Sequence, residues 1–167
     1  MLDAIEKTLF YSKQNISYDI NHLYVKNILA KATILMRSNR GTIRKIDKLI
    51  TNAKKIIIEN TTEYADVRLQ YYLVCAWYYA LVQDDKDMAE VFIEDALELS
   101  NVIIPTDLQR IEDVIIPCAN IYFELCSYNQ AIGLLYKGTR LCFKHINTDS
   151  YAFIRQQLYN HFFQVGI

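Results

Sequence analysis

Cysteines, histidines and paired carboxylates are the side chains of this 167-residue chain with the means to do chemistry. The four cysteines, Cys75, Cys118, Cys126 and Cys142, contain no Cys-x-x-Cys pair. The three histidines, His22, His145 and His161, share no metal-ligand spacing with them or with one another. Cys126 and Ser127 fall at a predicted turn with no obvious base to activate either nucleophile. Glu94-Asp95 and Glu112-Asp113 read as solvated helix faces, not as an acid–base pair. His-Glu-x-x-His, a glycine-rich phosphate loop and Gly-x-Ser-x-Gly are all missing from the sequence. The chain reads as a non-enzyme, with no metal or cofactor expected.

The same residues speak to compartment. No stretch approaches about 18 uninterrupted apolar residues, so no membrane span is expected. The opening "MLDAIEKTLFYSKQN" carries Asp3 and Glu6 and lacks the basic region and apolar run of a signal peptide. A cytoplasmic protein is expected, with its cysteines reduced and used as small core residues. The sequons at Asn15-Ile-Ser17 and Asn60-Thr-Thr62 would then go unused.

A net charge of −1 conceals an asymmetry: residues 1–60 hold 11 Lys/Arg against 5 Asp/Glu, and residues 61–167 hold 7 against 14. The basic half peaks between Arg37 and Lys55 and the acidic half between Asp84 and Glu98. Basic stretches can meet phosphate. Here the cations fall on polar helix faces with no aromatic residues interleaved to stack bases, which favours a solvated face over a nucleic-acid surface. A contact between the opposite charges of two partners stays open.

What must position these side chains is helical. The chain is 52% apolar with four Gly and two Pro, a composition of packed helices. Apolar residues recur at helical period along Ile43, Ile46, Leu49/Ile50, Ala53 and Ile57. They do so again along Ala89, Phe92/Ile93, Ala96 and Leu99, and along Ala131, Leu134/Leu135, Gly138 and Leu141. A further helical stretch precedes each one. Asp19, Thr42, Thr62, the "DDKD" of Asp84–Asp87 and Thr106 supply caps and breaks, as does "SNRG" at Ser38–Gly41. Three hairpins follow, at about 20–59, 64–101 and 107–145, flanked by a helix at 2–14 and a terminal helix at 149–165. All belong to one all-α domain spanning 1–167.

Small residues set the register. Ala53, Ala96 and Gly138 occupy equivalent points of the second helices, 43 and 42 residues apart. Ala89 and Ala131 fall seven residues earlier, where the first copy has Ile46. Close approach of two helices demands small side chains at such points. A helical hairpin recurring at near-constant spacing is the mark of a solenoid.

At these positions the chain resembles the tetratricopeptide-repeat (TPR) family, whose first helix sets a W-x2-L-G-x2-Y pattern against the A-x3-F-x2-A of the second. Ile115, Cys118, Ala119 and Tyr122, then Tyr128, Ala131, Leu135 and Gly138, take those places in the third copy. Leu73, Ala76, Trp77 and Ala80, then Ala89, Ile93 and Ala96, take them in the second. Ala30, Thr33, Ile34 and Arg37, then Gly41, Ile46, Ile50 and Ala53, do so in the first. The period exceeds that family's usual ~34 residues, and Pro117 falls inside a predicted helix, where it should kink or interrupt it. The longer period and the Tyr/Ile/Asn/Lys-rich composition resemble the C-terminal domains of peptide-pheromone regulators of low-GC Gram-positive bacteria (the Rgg/PlcR/PrgX-like group). That resemblance implies a right-handed superhelix that binds a short peptide on its concave side and dimerises. It also implies control of DNA only through a helix-turn-helix domain, of which this chain has no convincing segment.

A concave wall of first helices makes an extended groove for a peptide or partner segment. The register predicts its lining as Asn27, Lys31 and Leu35, then Tyr71, Val74 and Tyr78, then Asn120, Phe123 and Glu124. Tyr71 and Tyr78 serve either the groove or the core, and Trp77 is expected in the core. The terminal helix places Ile154, Leu158, Phe162 and Val165 on one side, an apolar face expected to pair across a two-fold homodimer or against further chain. The reading is therefore a peptide-binding, ligand-sensing domain. A constitutive adaptor or chaperone is the alternative, and nucleic-acid binding through the basic half a lesser one.

Overall fold

Seven helices and no strand make up the described residues of the computed structural model, which are 18–38, 42–59, 64–104, 106–144 and 149–164. Helix α1 is Tyr18–Arg37 and α2 is Ile43–Glu59. Helix α3 runs as an α-helix over Ala65–Tyr78 and closes in a π-helical turn, Tyr79–Gln83. Helix α4 is Lys86–Ile103. Helix α5 starts at Asp107–Arg110, widens to a π-helical segment at Ile111–Ile115 and continues over Ile116–Glu124. Helices α6, Tyr128–Phe143, and α7, Asp149–Gln164, complete the order. The expected helix at 2–14, Asn39–Gly41 of the expected breaker, Thr62 and Val165 all lie outside the described residues.

Local chemistry explains the boundaries. Asp85 caps α4 by accepting a hydrogen bond from the Met88 amide at 3.0 Å, and Thr106 caps α5 by accepting from the Gln109 amide at 3.3 Å. Asp19, expected to cap α1, instead lies within it. Helix α5 ends in a Schellman motif: the Ser127 amide reaches the Tyr122 carbonyl at 2.8 Å and the Cys126 amide that of Phe123 at 3.0 Å. This puts Cys126, a residue with a Cβ, in the left-handed region at φ 55°.

Pro117 neither breaks nor ends its helix. It has no amide hydrogen for the carbonyl of Asp113. Just upstream the helix is wound in π geometry, with the Ile116 amide bonded to the Ile111 carbonyl five residues back. A wider turn beside a proline spares the clash that an ordinary turn would make, and α5 carries on.

The two helices of each hairpin pack most extensively, α1 on α2, α3 on α4 and α5 on α6, and α7 packs on α6. The first helices also meet one another, α1 against α3 and α3 against α5. Each second helix buries most of the stripe read from the sequence: Ile46, Leu49, Ile50, Ala53 and Ile57 on α2; Ala89, Ile93 and Ala96 on α4; Ala131, Leu135 and Gly138 on α6. Ile43, expected at the start of the α2 stripe, is exposed instead, at the first residue of the helix, where no neighbouring helix covers it. Gly138 sits at a close approach between helices. A Cβ on Gly138 would lie 3.3 Å from Ile115 of α5 and 3.3 Å from Leu158 of α7.

The core is one series of three clusters. The first joins α1, α2 and one side of α3. The second joins the other side of α3 to α4 and α5, and the third joins α5, α6 and α7. Tyr72, Trp77 and Phe92 pack against both of the first two, and Phe92 stacks on Tyr79 at 5.5 Å between centroids. None of the described helices is long and apolar enough to cross a membrane.

Candidate functional site

Two cavities open in line along α3, each also lined by residues of α1 and α5. The first, of about 610 Å³, is framed by Lys26 of α1, by Asp66, Gln70 and Leu73 of α3, and by Gln109 and Asp113 of α5, with Ile103 at the end of α4 and Ile104 after it also in the lining. The second, of about 660 Å³, lies between Met36 and Arg37 of α1, Trp77 and Leu81 of α3, and Asn120, Phe123 and Glu124 of α5. Both volumes fall in the range of ligand pockets. Asp66, Gln70, Leu73, Trp77 and Leu81 recur at three- and four-residue steps, so they form a single stripe down α3.

Each end of the groove carries opposite charges. Asp66 accepts from Lys26 Nζ at 2.9 Å and sits 2.9 Å from His22 Nε2. Partial burial raises the Asp66 carboxyl, but the Lys26 and His22 hydrogen bonds and charges outweigh it, so its pKa lies below the usual carboxylate value. At the other end the Arg37 guanidinium lies 5.5 Å from the centroid of the Trp77 ring. Such a cation–π contact is worth about 0.5–1 kcal/mol at an exposed site and holds the guanidinium over the cavity. Glu124 faces the same cavity from α5 and is exposed.

Both π-helical turns belong to helices of the groove. Leu81 comes from the one that ends α3 and Asp113 from the one inside α5. A π-turn rotates the residues that follow it relative to an unbroken helix, and such turns concentrate at functional sites.

Three of the nine residues expected to line the groove, Asn120, Phe123 and Glu124, do line the second cavity. The others are placed elsewhere. Tyr71, Val74 and Tyr78 are buried in the first core cluster, facing α1 and α2, and Tyr71 makes an edge-on contact with Phe92. On α1 the groove residues are Lys26, Met36 and Arg37, whereas Asn27, Lys31 and Leu35 are half-buried and line neither cavity. Leu35 packs against the first cluster, and the Asn27 side-chain nitrogen is buried with no hydrogen-bond partner. Trp77, expected in the core, is half-buried beneath Arg37. The cause on α3 is the run "YYLVCAWYYA", apolar around the whole helix, which leaves periodicity unable to choose a stripe. A usable signal was present: Asp66 and Gln70 are the polar residues of the stripe that ends at Trp77 and Leu81.

The terminal helix also differs from expectation. Leu158 is 1% exposed and packs inside the chain against Gly138, and Phe162 is half-buried on the third cluster. These two side chains are therefore not an open dimer face; among the described side chains of α7 the exposed rings are Tyr159 and Phe163. The side chain of Ile154 lies outside the description.

Cysteine placement argues against thiol chemistry at three sites. Burial pushes the Cys75 and Cys118 thiols up to about 12. Burial also raises that of Cys142, against the opposing charge of Arg155. Thiolate is scarce there at neutral pH. No group of three His, Cys, Asp or Glu that could hold a metal is found among the described residues.

Comparison with protein-family models, with curated proteins and with solved structures finds no match for this chain.

Proposed function

We propose that this chain is a non-enzymatic binding module that holds a short extended peptide, or an extended segment of a partner protein, along the α1–α3–α5 groove. One observation carries the reading: two cavities of ligand size lie end to end on one face of α3. From Asp66 to Leu81 the helix advances about 22 Å at 1.5 Å per residue, the length of about seven residues of extended chain. Gln70, Gln109 and Asn120 offer amides that donate and accept together, as a peptide backbone requires. Leu73, Trp77, Leu81 and Phe123 offer apolar surface for side chains. The Lys26–Asp66 pair and the Arg37–Glu124 end then meet ligand charges.

Helical hairpins in which first helix packs on first helix agree with a TPR-like right-handed superhelix. In that arrangement the module serves as the ligand-sensing part of a peptide-responsive regulator. The π-turns of α3 and α5 would be the segments that change winding when the groove fills, shifting the population that an effector reads. A constitutive adaptor would bind the same way without that shift.

Trp77 is the single tryptophan of the chain, so it reports on the groove directly. Titration with a pool of random heptapeptides is expected to shift and quench its emission. Leu81→Glu and Asn120→Leu should each weaken the response at least tenfold. A flat signal up to millimolar peptide overturns the reading. Sedimentation and scattering with a responding peptide then distinguish a sensor, whose shape or assembly changes, from an adaptor.

A further inference from the structure

The outward sides of the three second helices differ in chemistry. Helix α2 exposes Arg44, Lys45, Lys48, Lys54 and Lys55 without an aromatic ring, and α4 exposes Asp87, Glu94 and Glu98. Helix α6 contains no carboxylate. It exposes Lys137 and Arg140, with Lys144 just past its end, together with Tyr136 at 61% and Phe143 at 51% exposure. Gly133, Tyr136, Lys137, Arg140, Leu141 and Lys144 line a shallow cleft of about 320 Å³. Tyr136 and Phe143 are seven residues apart on one side of the helix, about 10.5 Å along its axis, with Arg140 between them.

Gly133 supplies an independent observation. A Cβ there would meet nothing within 4 Å, so the described fold has no need of glycine at this position. Glycine in a helix interior also costs stability. An exposed glycine in the lining of a basic cleft leaves the backbone open to close approach from outside the chain.

We propose that the α6 face binds single-stranded nucleic acid, with Lys137, Arg140 and Lys144 on the phosphates and Tyr136 and Phe143 stacking on unpaired bases. Cations that follow a backbone, combined with exposed rings, are how proteins hold single strands without reading sequence. The acidic side of α4 in a second copy is the competing occupant. Exposed ion pairs are individually weak against the cost of bringing two proteins together, and an acidic helix leaves both rings unused. A strand instead releases a counterion at every cation it meets. None of these residues lines the groove of α1, α3 and α5, so the two sites are separable.

The test is fluorescence anisotropy of the full chain with labelled oligo-dT, oligo-U and duplex DNA, each about 12 nucleotides long. Three neutralised phosphates give a salt slope of about −2, an affinity loss of about 18-fold between 50 and 200 mM salt. Gly133→Leu, whose Cβ would enter open space, should weaken binding without lowering Tm. Lys137→Glu with Arg140→Glu should abolish it, and Tyr136→Ala should reduce it at least about fivefold. Lys48→Glu with Lys55→Glu on α2 should leave it unchanged. Binding to either single strand with this pattern supports the proposal. It is overturned by no binding at 50 mM salt, by tighter binding of the duplex, by indifference to the α6 variants, by loss in the α2 variant, or by equal competition from polyglutamate.

Discussion

Two glycines of α6, five residues apart, should respond oppositely to the same substitution. A Cβ at Gly138 would stand 3.3 Å from Ile115 Cγ2, 3.3 Å from Leu158 Cδ2 and 3.6 Å from Leu158 Cδ1, whereas carbon atoms prefer about 3.5–4.0 Å. Alanine there intrudes by a few tenths of an ångström at two points. It also gains about 0.8–1 kcal/mol of helix propensity, so the two effects roughly cancel. Leucine adds three more carbons into space already filled by α5 and α7. Overpacking of that kind costs about 3 kcal/mol at the upper end of its range, and the propensity gain returns about 0.8. Gly138→Leu is therefore expected to destabilise by about 2 kcal/mol, a fall in Tm of about 4–8 °C for a domain of this size. Gly133→Leu shares the propensity gain, and its Cβ would enter open space, so it should stabilise by about 0.8 kcal/mol. Urea denaturation at constant m measures both, with a difference of about 3 kcal/mol expected. Equal shifts for the two variants would refute the claim that close helix contact at Gly138 requires a small residue.

Other consequences are equally direct. With a thiol reagent at pH 7.5, one cysteine, the exposed Cys126, should react fast, and Cys75, Cys118 and Cys142 only at the rate of opening or unfolding; two fast thiols would contradict the burial described. Burial holds the folded Cys75 and Cys118 thiols at about 12 against an ordinary 9.0. Burial, helped by Glu90 and Glu94, holds the Tyr122 phenol at about 12 against 10.0. Above pH 9 the unfolded chain loses these protons first, so stability should be fully present below that pH and fall up to about pH 12, as Tm against pH will show. Cys126→Gly removes a Cβ from the left-handed region at φ 55° and should raise stability by about 1 kcal/mol; a loss would mean that the side chain matters more than its backbone. Asp66→Asn breaks a pair whose carboxylate is 54% exposed, so it should cost no more than about 0.5 kcal/mol. The contribution of this low-pKa carboxylate is present above the ordinary carboxylate range and fades as pH falls below it.

Much of the scaffold was legible in the sequence because one signal repeats: apolar residues at helical period with a small residue where helices touch. Ala53, Ala89, Ala96 and Ala131 are wholly buried, and the caps at Asp85 and Thr106 act through their own side chains. The groove was legible only on α5, where Asn120 and Glu124 break an otherwise apolar pattern. On α1 the lining lies on another stripe, from Lys26 to Arg37. On α3 it lies on the stripe through Trp77, because a helix packed on several sides is apolar on several faces. The face of α6 went unread although Lys137, Arg140 and Lys144 fall at helical spacing, because the charge count of the chain's second half is dominated by its acids.

The sequence by itself determined where α4 and α5 start, most of the stripe that each second helix buries and where small residues stand, because those choices are made within one helix or between neighbours in the chain. Tertiary structure alone decided which side of α3 stays open, that Leu158 turns inward onto Gly138, and that Pro117 is absorbed by a π-turn. Those outcomes depend on helices far apart in sequence competing for the same surface, and no local pattern records who wins.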